Sequence, residues 1–259
     1  MPGRPRVRVR CRGLLPLLAG ALAGAVVIAL FHLAPGPSFR TIHREQSTVD
    51  SSGGGDEREL AQRPMPSLPP EAARPQPLST ARGPEPHVLP AATETGRWVP
   101  GEFTASTEGA LAQLVVLWET ALHGADPALV ERAYRHLAMP GAPDPATTGV
   151  HRTVVALRVH AGAPATGPVP DLRAQYRVTH GLVKGSTDRG RYVVVCVLGE
   201  MSVTYQAGAA RGGLGDCQAM RWAGVGWRVA PGPLPAPAPH AWPGSDACLA
   251  AGYREVRRA

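Results

Sequence analysis

Two ionisable residues one helical turn apart are the strongest candidates for chemistry in this chain. Glu119 and His123 are four positions apart in a stretch with helical periodicity, a spacing at which a carboxylate can orient an imidazole as a general base. The same spacing is common in surface pairs, and the negative end of a helix favours a histidine for structural reasons alone. We favour the structural interpretation and extend it to His136. His160 and His180 fall in predicted strands, without acidic partners at a recognisable spacing.

The sequence contains none of the common catalytic motifs. It has no His-Glu-x-x-His, no Gly-x-Ser-x-Gly and no Walker glycine loop with its lysine. Gly212-Gly213-x-Gly215 precedes a predicted strand instead of a helix, so we interpret it as a loop and not as a phosphate cradle. No Cys-x-x-Cys pair indicates zinc or redox catalysis. We therefore predict no enzymatic activity, no cofactor and no metal.

The cysteines suggest one covalent link. Cys11 lies near the amino terminus, whereas Cys196, Cys217 and Cys248 lie in the carboxyl-terminal half. An oxidising compartment permits a disulfide, but three cysteines leave one over. Because Cys196 lies inside a valine-rich run, we expect it to be buried. We predict a disulfide between Cys217 and Cys248 that fixes the end of the chain to a sheet; three free, buried thiols are the alternative.

Two amphipathic helices should position the ionisable pair. Ser106 or Thr107 can cap the first helix, which carries apolar residues at helical spacing and ends at Gly124. Asp126 can cap the second helix, with Pro127 in its first turn. Each helix has one apolar stripe, so each should pack against another element.

A sheet is the predicted partner of these helices. Strands are predicted over residues 153–160, 174–183, 192–205, 217–222 and 227–230, with a hairpin turn at 223–226. A proline-rich strap follows from residue 231, and residues 245–251 are predicted to form a short helix. Helices followed by antiparallel strands indicate an α+β domain.

The amino-terminal region predicts where the protein resides. Residues 14–34 are almost entirely apolar and long enough to cross a bilayer once. Five arginines precede this segment without an acidic residue, so the amino terminus should stay in the cytoplasm and the rest should lie outside it. These residues are Arg4, Arg6, Arg8, Arg10 and Arg12. A cleaved signal peptide is the alternative, but its apolar region is typically shorter.

Gly20 and Gly24 in the same segment form a Gly-x-x-x-Gly pair, which could bring two such helices together in lipid.

The sequence predicts five regions. Residues 1–13 form a basic cytoplasmic tail, and residues 14–34 form the membrane span. Residues 35–97 are rich in proline, serine and glycine and are predicted to be a disordered linker. Residues 98–230 form the extracytoplasmic domain, and residues 231–259 form the strap and the short helix.

The charge distribution limits the class of partner. The net charge is +7, and removing the five arginines of the tail leaves 22 basic against 20 acidic residues. The part predicted to lie outside the membrane is therefore nearly neutral, which argues against nucleic acid because phosphate binding needs a concentrated cationic face. The basic tail instead indicates contact with anionic membrane lipid.

Several local motifs resemble a known family. The entry sequence Trp98-Val99-Pro100-Gly101-Glu102-Phe103, the pattern Trp222-x-x-x-x-Trp227-Arg228-Val229 and the stretch from Trp242 to Ser245 carry the resemblance. Together with the anchor, they resemble small single-pass membrane proteins of actinobacteria whose outer domain is similar to the nuclear transport factor 2-like fold. The bitopic assembly subunit of type IV secretion channels, and related conjugation proteins, share this architecture. The resemblance implies a strongly curved, cone-like sheet wrapped around helices.

The sequence is consistent with three candidate functions. The first is a noncatalytic assembly or scaffold subunit of a conjugation- or secretion-type envelope complex, with protein partners or further copies of the same chain. The second is an extracytoplasmic module that binds or senses a small apolar ligand inside the cone. The third is an enzyme, which would need an acid–base pair in the cavity that neither motif nor spacing indicates. We rank them in that order.

Overall fold

The computed structural model describes residues 52–95 and 97–259. The predicted cytoplasmic tail with its five arginines, the predicted span with Gly20 and Gly24, and Cys11 all lie outside the described residues. Across the two described ranges, no helix has both the length and the apolar character needed to cross a membrane.

The described residues form an α+β structure, as predicted, with helices packed on a curled, mostly antiparallel half-barrel sheet. The α-helices are α1 (Ser52–Gln62), α2 (Thr107–Ala121), α3 (Pro127–Leu137), α4 (Gly149–His160) and α5 (Asp246–Ala250). The strands are β1 (His87–Leu89), β2 (Arg173–Thr187), β3 (Tyr192–Tyr205), β4 (Gly208–Trp222), β5 (Trp227–Val229) and β6 (Arg254–Arg258), in the spatial order β1-β6-β2-β3-β4-β5. Only the β1–β6 pairing is parallel among these strands.

The helix-facing side of the sheet carries the larger core. Residues Val193, Val195 and Val197 of β3 point toward this side and pack with α2, α3 and α4. Helix α2 lies in the hollow of the half-barrel and is buried along most of its length. Ser106 and Asp126 cap α2 and α3 through their side chains, as predicted.

The opposite side of the sheet is covered by two extended parts of the chain. Tyr192, Val194, Cys196 and Leu198 of β3 point toward this side and form two smaller cores. One covering part is the segment from α1 to residue 79, and the other is the proline-rich strap.

Three main-chain hydrogen bonds connect the two covering parts. The N–H groups of Ala236 and Trp242 donate to the carbonyl oxygens of Ala61 and Ala72, and the N–H of Ser79 donates to the carbonyl of Gly244, with N···O distances of 2.6 to 2.9 Å. Residues 192–198 of β3 pack apolar side chains on both faces, which is why this part of the strand is a continuous apolar run.

The prediction of a disordered linker over residues 35–97 is wrong for the described part of that range. Leu60 and Ala61 of α1 are buried against Tyr192 and Val194, and residues 87–89 form an edge strand paired with β6. The composition of this stretch offers few apolar residues. The second face of the sheet supplies the apolar surface that the segment itself lacks, and the segment covers that face.

Two further predictions about local structure are wrong. Residues 153–160 belong to helix α4, because Val150, Val154 and Leu157 recur at helical spacing and all turn toward the core, which outweighs their β-branched character. The glycines at 212–215 lie inside strand β4 and not in a loop. There the absence of a side chain matters, since a Cβ at Gly213 would lie 1.7 Å from the carbonyl oxygen of Ala241 in the strap.

Candidate docking cleft

An open cleft of about 480 Å³ lies on the helical side of the structure. Its lining is mostly apolar, with one carboxylate, one hydroxyl and one imidazole at the edges. The lining residues are Trp98, Pro100, Val116, Glu119, Thr120, His123 and Leu129. Helices α2 and α3, the turn between them and the loop before α2 therefore all contribute to it.

The loop before α2 is held close to the helix. The side-chain amide of Gln113 donates to the carbonyl of Pro100 at 3.0 Å, and the indole N–H of Trp227 donates to the carbonyl of Thr104 at 2.8 Å. Gly109 in the first turn of α2 permits this approach, because a Cβ there would lie 1.9 Å from the Thr104 oxygen. The loop thus presents Trp98 beside the helices in a defined place.

Trp98 forms the rim of the cleft together with an arginine from α3. Trp98 is 43% exposed, which is unusual for so large an apolar residue. The guanidinium carbon of Arg132 lies 4.2 Å from the ring centroid, in a cation–π contact. Tryptophan and arginine are among the residue types most enriched at the energetic centres of protein interfaces.

Glu119 and His123, the candidate acid–base pair for which we favoured a structural role, both line this cleft, and the carboxylate is already hydrogen-bonded. The Arg258 Nη2 of β6 donates to both carboxylate oxygens of Glu119 at 2.6 and 2.8 Å, and the backbone N–H of Val178 donates to the same group at 3.0 Å. Glu119 thereby ties α2 to β6 and to the irregular part of β2, where the register shifts between Val178 and His180. His123 is exposed in the turn after α2. The arrangement favours a structural role for Glu119.

The other histidines identified in the sequence lie apart from the cleft lining. His136 is exposed near the end of α3, and His160 ends α4, where its Nδ1 lies 2.8 Å from the carbonyl of Ala156. His180 is in β2, and burial lowers its pKa. Its Nδ1 is 3.0 Å from the hydroxyl of Thr179.

A buried histidine–carboxylate pair was not predicted. His87 of β1 is 5% exposed, and its Nδ1 lies 3.5 Å from a carboxylate oxygen of Glu108 in α2. Burial is the main cause of a lowered pKa at His87. Its Nε2 has no hydrogen-bond partner among the described residues. The two residues lie 21 positions apart on a strand and a helix, so no spacing rule connects them.

A buried polar network was also missed. Asp216 of β4 accepts hydrogen bonds from the indole N–H of Trp118 at 2.9 Å and from the amide of Gln218 at 2.8 Å. The hydroxyl of Tyr134 reaches the Gln218 carbonyl oxygen at 3.4 Å. Burial raises the pKa of Asp216 to about 7. The network connects β4 with α2 and α3.

The disulfide joins Cys196 to Cys217, so the predicted pair of Cys217 with Cys248 is wrong. Cys196 and Cys217 are directly opposite each other in the β3–β4 register, with Cα atoms 4.0 Å apart, so their side chains leave the sheet on the same face. Cys248 is buried as a free thiol in α5 and belongs to the same small core. Burial raises the pKa of this thiol to about 11.

Metal binding has no evident site in the part of the chain that the structure describes. No group of three or more His, Cys, Asp or Glu side chains in residues 52–95 and 97–259 is arranged to hold an ion. Comparison with known proteins finds no matching family model, no similar curated protein and no similar solved structure.

Proposed function

We propose that this protein is a noncatalytic, membrane-anchored assembly subunit of a conjugation- or secretion-type envelope complex, and that its folded part docks a protein partner outside the cytoplasm. The observation that carries the proposal is the pair of Trp98 and Arg132 at the rim of an apolar cleft. An exposed tryptophan stacked under an arginine, beside apolar surface, has the composition of an interface centre.

The Cys196–Cys217 disulfide supports the extracytoplasmic location. Structural disulfides persist in oxidising compartments and are rare in the cytosol. This agrees with the orientation that the amino-terminal arginines predict for residues 14–34. The covalent bond in the sheet and the charges before the predicted span are independent features of the chain, and both favour the same location.

The docking cleft would operate near the membrane. Helix α1 begins at Ser52, so only residues 35–51 connect the folded part to the predicted span. Even a fully extended connection of this length reaches no more than about 60 Å. An assembly subunit of this design would meet partners that are themselves embedded in, or close to, the same membrane.

A second candidate function is the binding of a small apolar ligand. The cleft volume of about 480 Å³ lies within the usual range of about 300 to 1,000 Å³ for small-molecule sites. The cleft is open to solvent along one side, however, whereas ligand sites typically bury most of the ligand surface. We therefore rank protein docking above ligand binding.

Partner capture in native membranes tests the proposal. The full-length protein, its Trp98→Ala variant and its Val159→Ala variant would each be crosslinked mildly in their own membranes, purified and analysed by mass spectrometry. Val159 is the matched control because it is 71% exposed on α4 and does not line the cleft. We expect the wild type and Val159→Ala to recover the same membrane proteins, and Trp98→Ala to lose them.

Two results would contradict the proposal. Equal recovery of partners by all three proteins would show that the cleft does not dock them. Recovery of the chain alone, combined with a rise in melting temperature on addition of small apolar compounds that Trp98→Ala abolishes, would instead establish the ligand-binding function.

A further inference from the structure

Two turns lie side by side at one end of the sheet. The turn of residues 188–191 connects β2 to β3, and the turn of residues 223–226 connects β4 to β5. They are neighbours because β3 begins where β4 ends. Tyr192 pairs with Arg221, and the N–H of Trp222 donates to the carbonyl of Arg191 at 2.8 Å. We call residues 188–191 and 223–226 together the turn end.

Helix α1 points its amino terminus toward the turn end. Near the carboxyl end of the helix, the carbonyl of Ala61 accepts a hydrogen bond from Lys184, which lies four residues before the turn. One helical turn earlier, Glu57 accepts a hydrogen bond from the Tyr192 hydroxyl through its carbonyl and pairs with Arg221 through its carboxylate. Both of these residues adjoin the turn end. Residues 35–51, and with them the predicted membrane span, therefore join the folded part at this end.

The turn end exposes two arginines without acidic partners. Arg189 and Arg191 are both exposed, and neither is in an ion pair among the described residues. Asp188 in the same turn and Glu57 of α1 both pair with Arg221, Asp188 at 3.1 Å. The positive charge of Arg189 and Arg191 is therefore available to a partner.

The second turn adds an apolar group beside these charges. Val225 is 68% exposed at the tip of the 223–226 turn. On α1, exposed Asp56 and Glu59 outnumber exposed Arg58, so the unpaired positive charge at this end comes from Arg189 and Arg191 of the turn alone. Exposed arginines beside an exposed apolar tip match the polar and apolar layers of a bilayer surface.

We propose that the turn end rests on the anionic lipid surface of the membrane from which the chain emerges. Arg189 and Arg191 would contact lipid phosphates, and Val225 would enter the headgroup layer. Two arginines alone bind lipid weakly, but a span attached through residues 35–51 keeps the turn end at a high local concentration near the surface. The inference rests on the proposed function, because it requires residues 14–34 to be in the membrane.

Photo-crosslinking to lipid tests this contact with the full chain. The protein would be reconstituted into nanodiscs of phosphatidylcholine alone, or of equal parts phosphatidylcholine and phosphatidylglycerol, with p-benzoylphenylalanine in place of either Val225 or Val159. The two valines are similarly exposed, but Val159 lies on α4 in the helical layer. We expect lipid adducts at position 225 in the anionic discs and none at position 159.

Charge variants make the test specific. Arg189→Gln/Arg191→Gln should lower the adduct yield at position 225 in anionic discs by up to about 30-fold, the factor that corresponds to about 1 kcal/mol for each arginine. The control Arg152→Gln/Arg173→Gln removes two exposed arginines far from the turn end, on α4 and at the opposite end of β2, and should leave the yield unchanged.

A wrong lipid contact of the turn end and a wrong membrane anchor would give different results. Release of the protein from the discs by alkaline carbonate would contradict the predicted membrane span of residues 14–34, and with it the proposed lipid contact. Retention in the discs with equal adduct yields at positions 225 and 159, or with a yield that the double variant does not lower, would overturn the lipid contact alone.

Discussion

The indole N–H of Trp118 donates a 2.9 Å hydrogen bond to a carboxylate oxygen of Asp216, 98 positions later in the chain. The bond joins the central helix α2 to strand β4 in the buried core. The amide of Gln218 donates to the same oxygen at 2.8 Å, so the carboxyl group accepts two hydrogen bonds through this oxygen. Burial nevertheless opposes its ionisation and raises its pKa to about 7.

Asp216 should make the protein less stable as the pH rises. Its pKa in the folded state is about 7, against 3.8 ordinarily, so the unfolded chain loses this proton first. The contribution of Asp216 to the free energy of unfolding is then constant below about pH 4 and falls between pH 4 and pH 7, by at most about 1.4 kcal/mol per pH unit. Asp216→Asn keeps a carbonyl acceptor for both donors and should remove this decline, as measured by urea unfolding across that range.

The control for Asp216 is Trp118→Phe, which removes one donor and leaves the titrating group in place. It should lower the stability at every pH by about 1 kcal/mol or more without removing the decline. An identical pH profile for the wild type and Asp216→Asn would contradict the assigned pKa.

His240 in the strap should have the opposite effect to Asp216 and make the protein more stable as the pH rises. Its Nδ1 accepts a 3.0 Å hydrogen bond from the N–H of Gly215, which requires a neutral ring at that nitrogen, and burial lowers its pKa to about 4. Since the ordinary pKa is 6.5, the unfolded chain takes up this proton first, and stability falls as the pH drops from about 6.5 to about 4. His240→Asn, which retains an acceptor but does not titrate, should remove this acid loss in the same unfolding measurement.

The two titrations overlap and partly cancel in the wild type between about pH 4 and pH 6.5. Relative to the wild type, Asp216→Asn should therefore make the slope of stability against pH more positive, whereas His240→Asn should make it more negative. Slope changes of the same sign in both single variants would refute this pairing of opposed effects.

Gly213 in β4 should tolerate no side chain while the strap is in place. A Cβ at this position would lie 1.7 Å from the carbonyl oxygen of Ala241, so Gly213→Ala must displace the strap backbone. We expect a loss of about 1 to 3 kcal/mol in unfolding free energy and faster hydrogen exchange over residues 236–244. Gly149→Ala is the matched control, because a Cβ there meets nothing within 4 Å, and it should change neither quantity by a comparable amount.

The disulfide assignment is testable by peptide mapping without reduction. Trypsin cleavage after Arg191, Arg211 and Arg221 separates Cys196 from Cys217, so the two resulting peptides, 192–211 and 212–221, should remain linked. Cys248 should appear in an unlinked peptide and react with alkylating agents only after unfolding, because it is buried. A link between the peptides that carry Cys217 and Cys248 would show that the structure pairs the wrong cysteines.

Loss of the disulfide should also cost stability. Cys196→Ala/Cys217→Ala opens a loop with a sequence separation of 21, for which loop entropy predicts a loss of about 3 kcal/mol. Cys248→Ala removes only a buried thiol from the same core and should cost markedly less. Equal losses for the two variants would argue that packing, and not the covalent link, is responsible.

Local sequence signals were sufficient for some elements and misleading for others. Helices α2 and α3 begin at the predicted caps, because a cap and an apolar stripe act within one segment. Helix α4 was predicted to be a strand because its β-branched residues weigh more heavily in isolation than they do against a core. The segment from residue 52 was predicted to be a linker because its partner surface is remote in the sequence.

The candidate cleft was predicted only in fragments. Glu119 and His123 were identified as a pair, and Trp98 as part of an entry motif, but nothing in their spacing connects them. Arg258, which occupies the Glu119 carboxylate, follows it by 139 positions. An ion pair of this kind depends on where the last strand joins the sheet, which no local pattern records.

The sequence by itself determined the helix caps, the apolar period of α2 and α3, and the long strands β2 and β3, since each depends on neighbouring residues. Only the tertiary structure decided that Cys217 meets Cys196, that Trp118 meets Asp216, and that the strap lies on the glycines of β4. The physical reason is strand register, because it determines which distant side chains share a face.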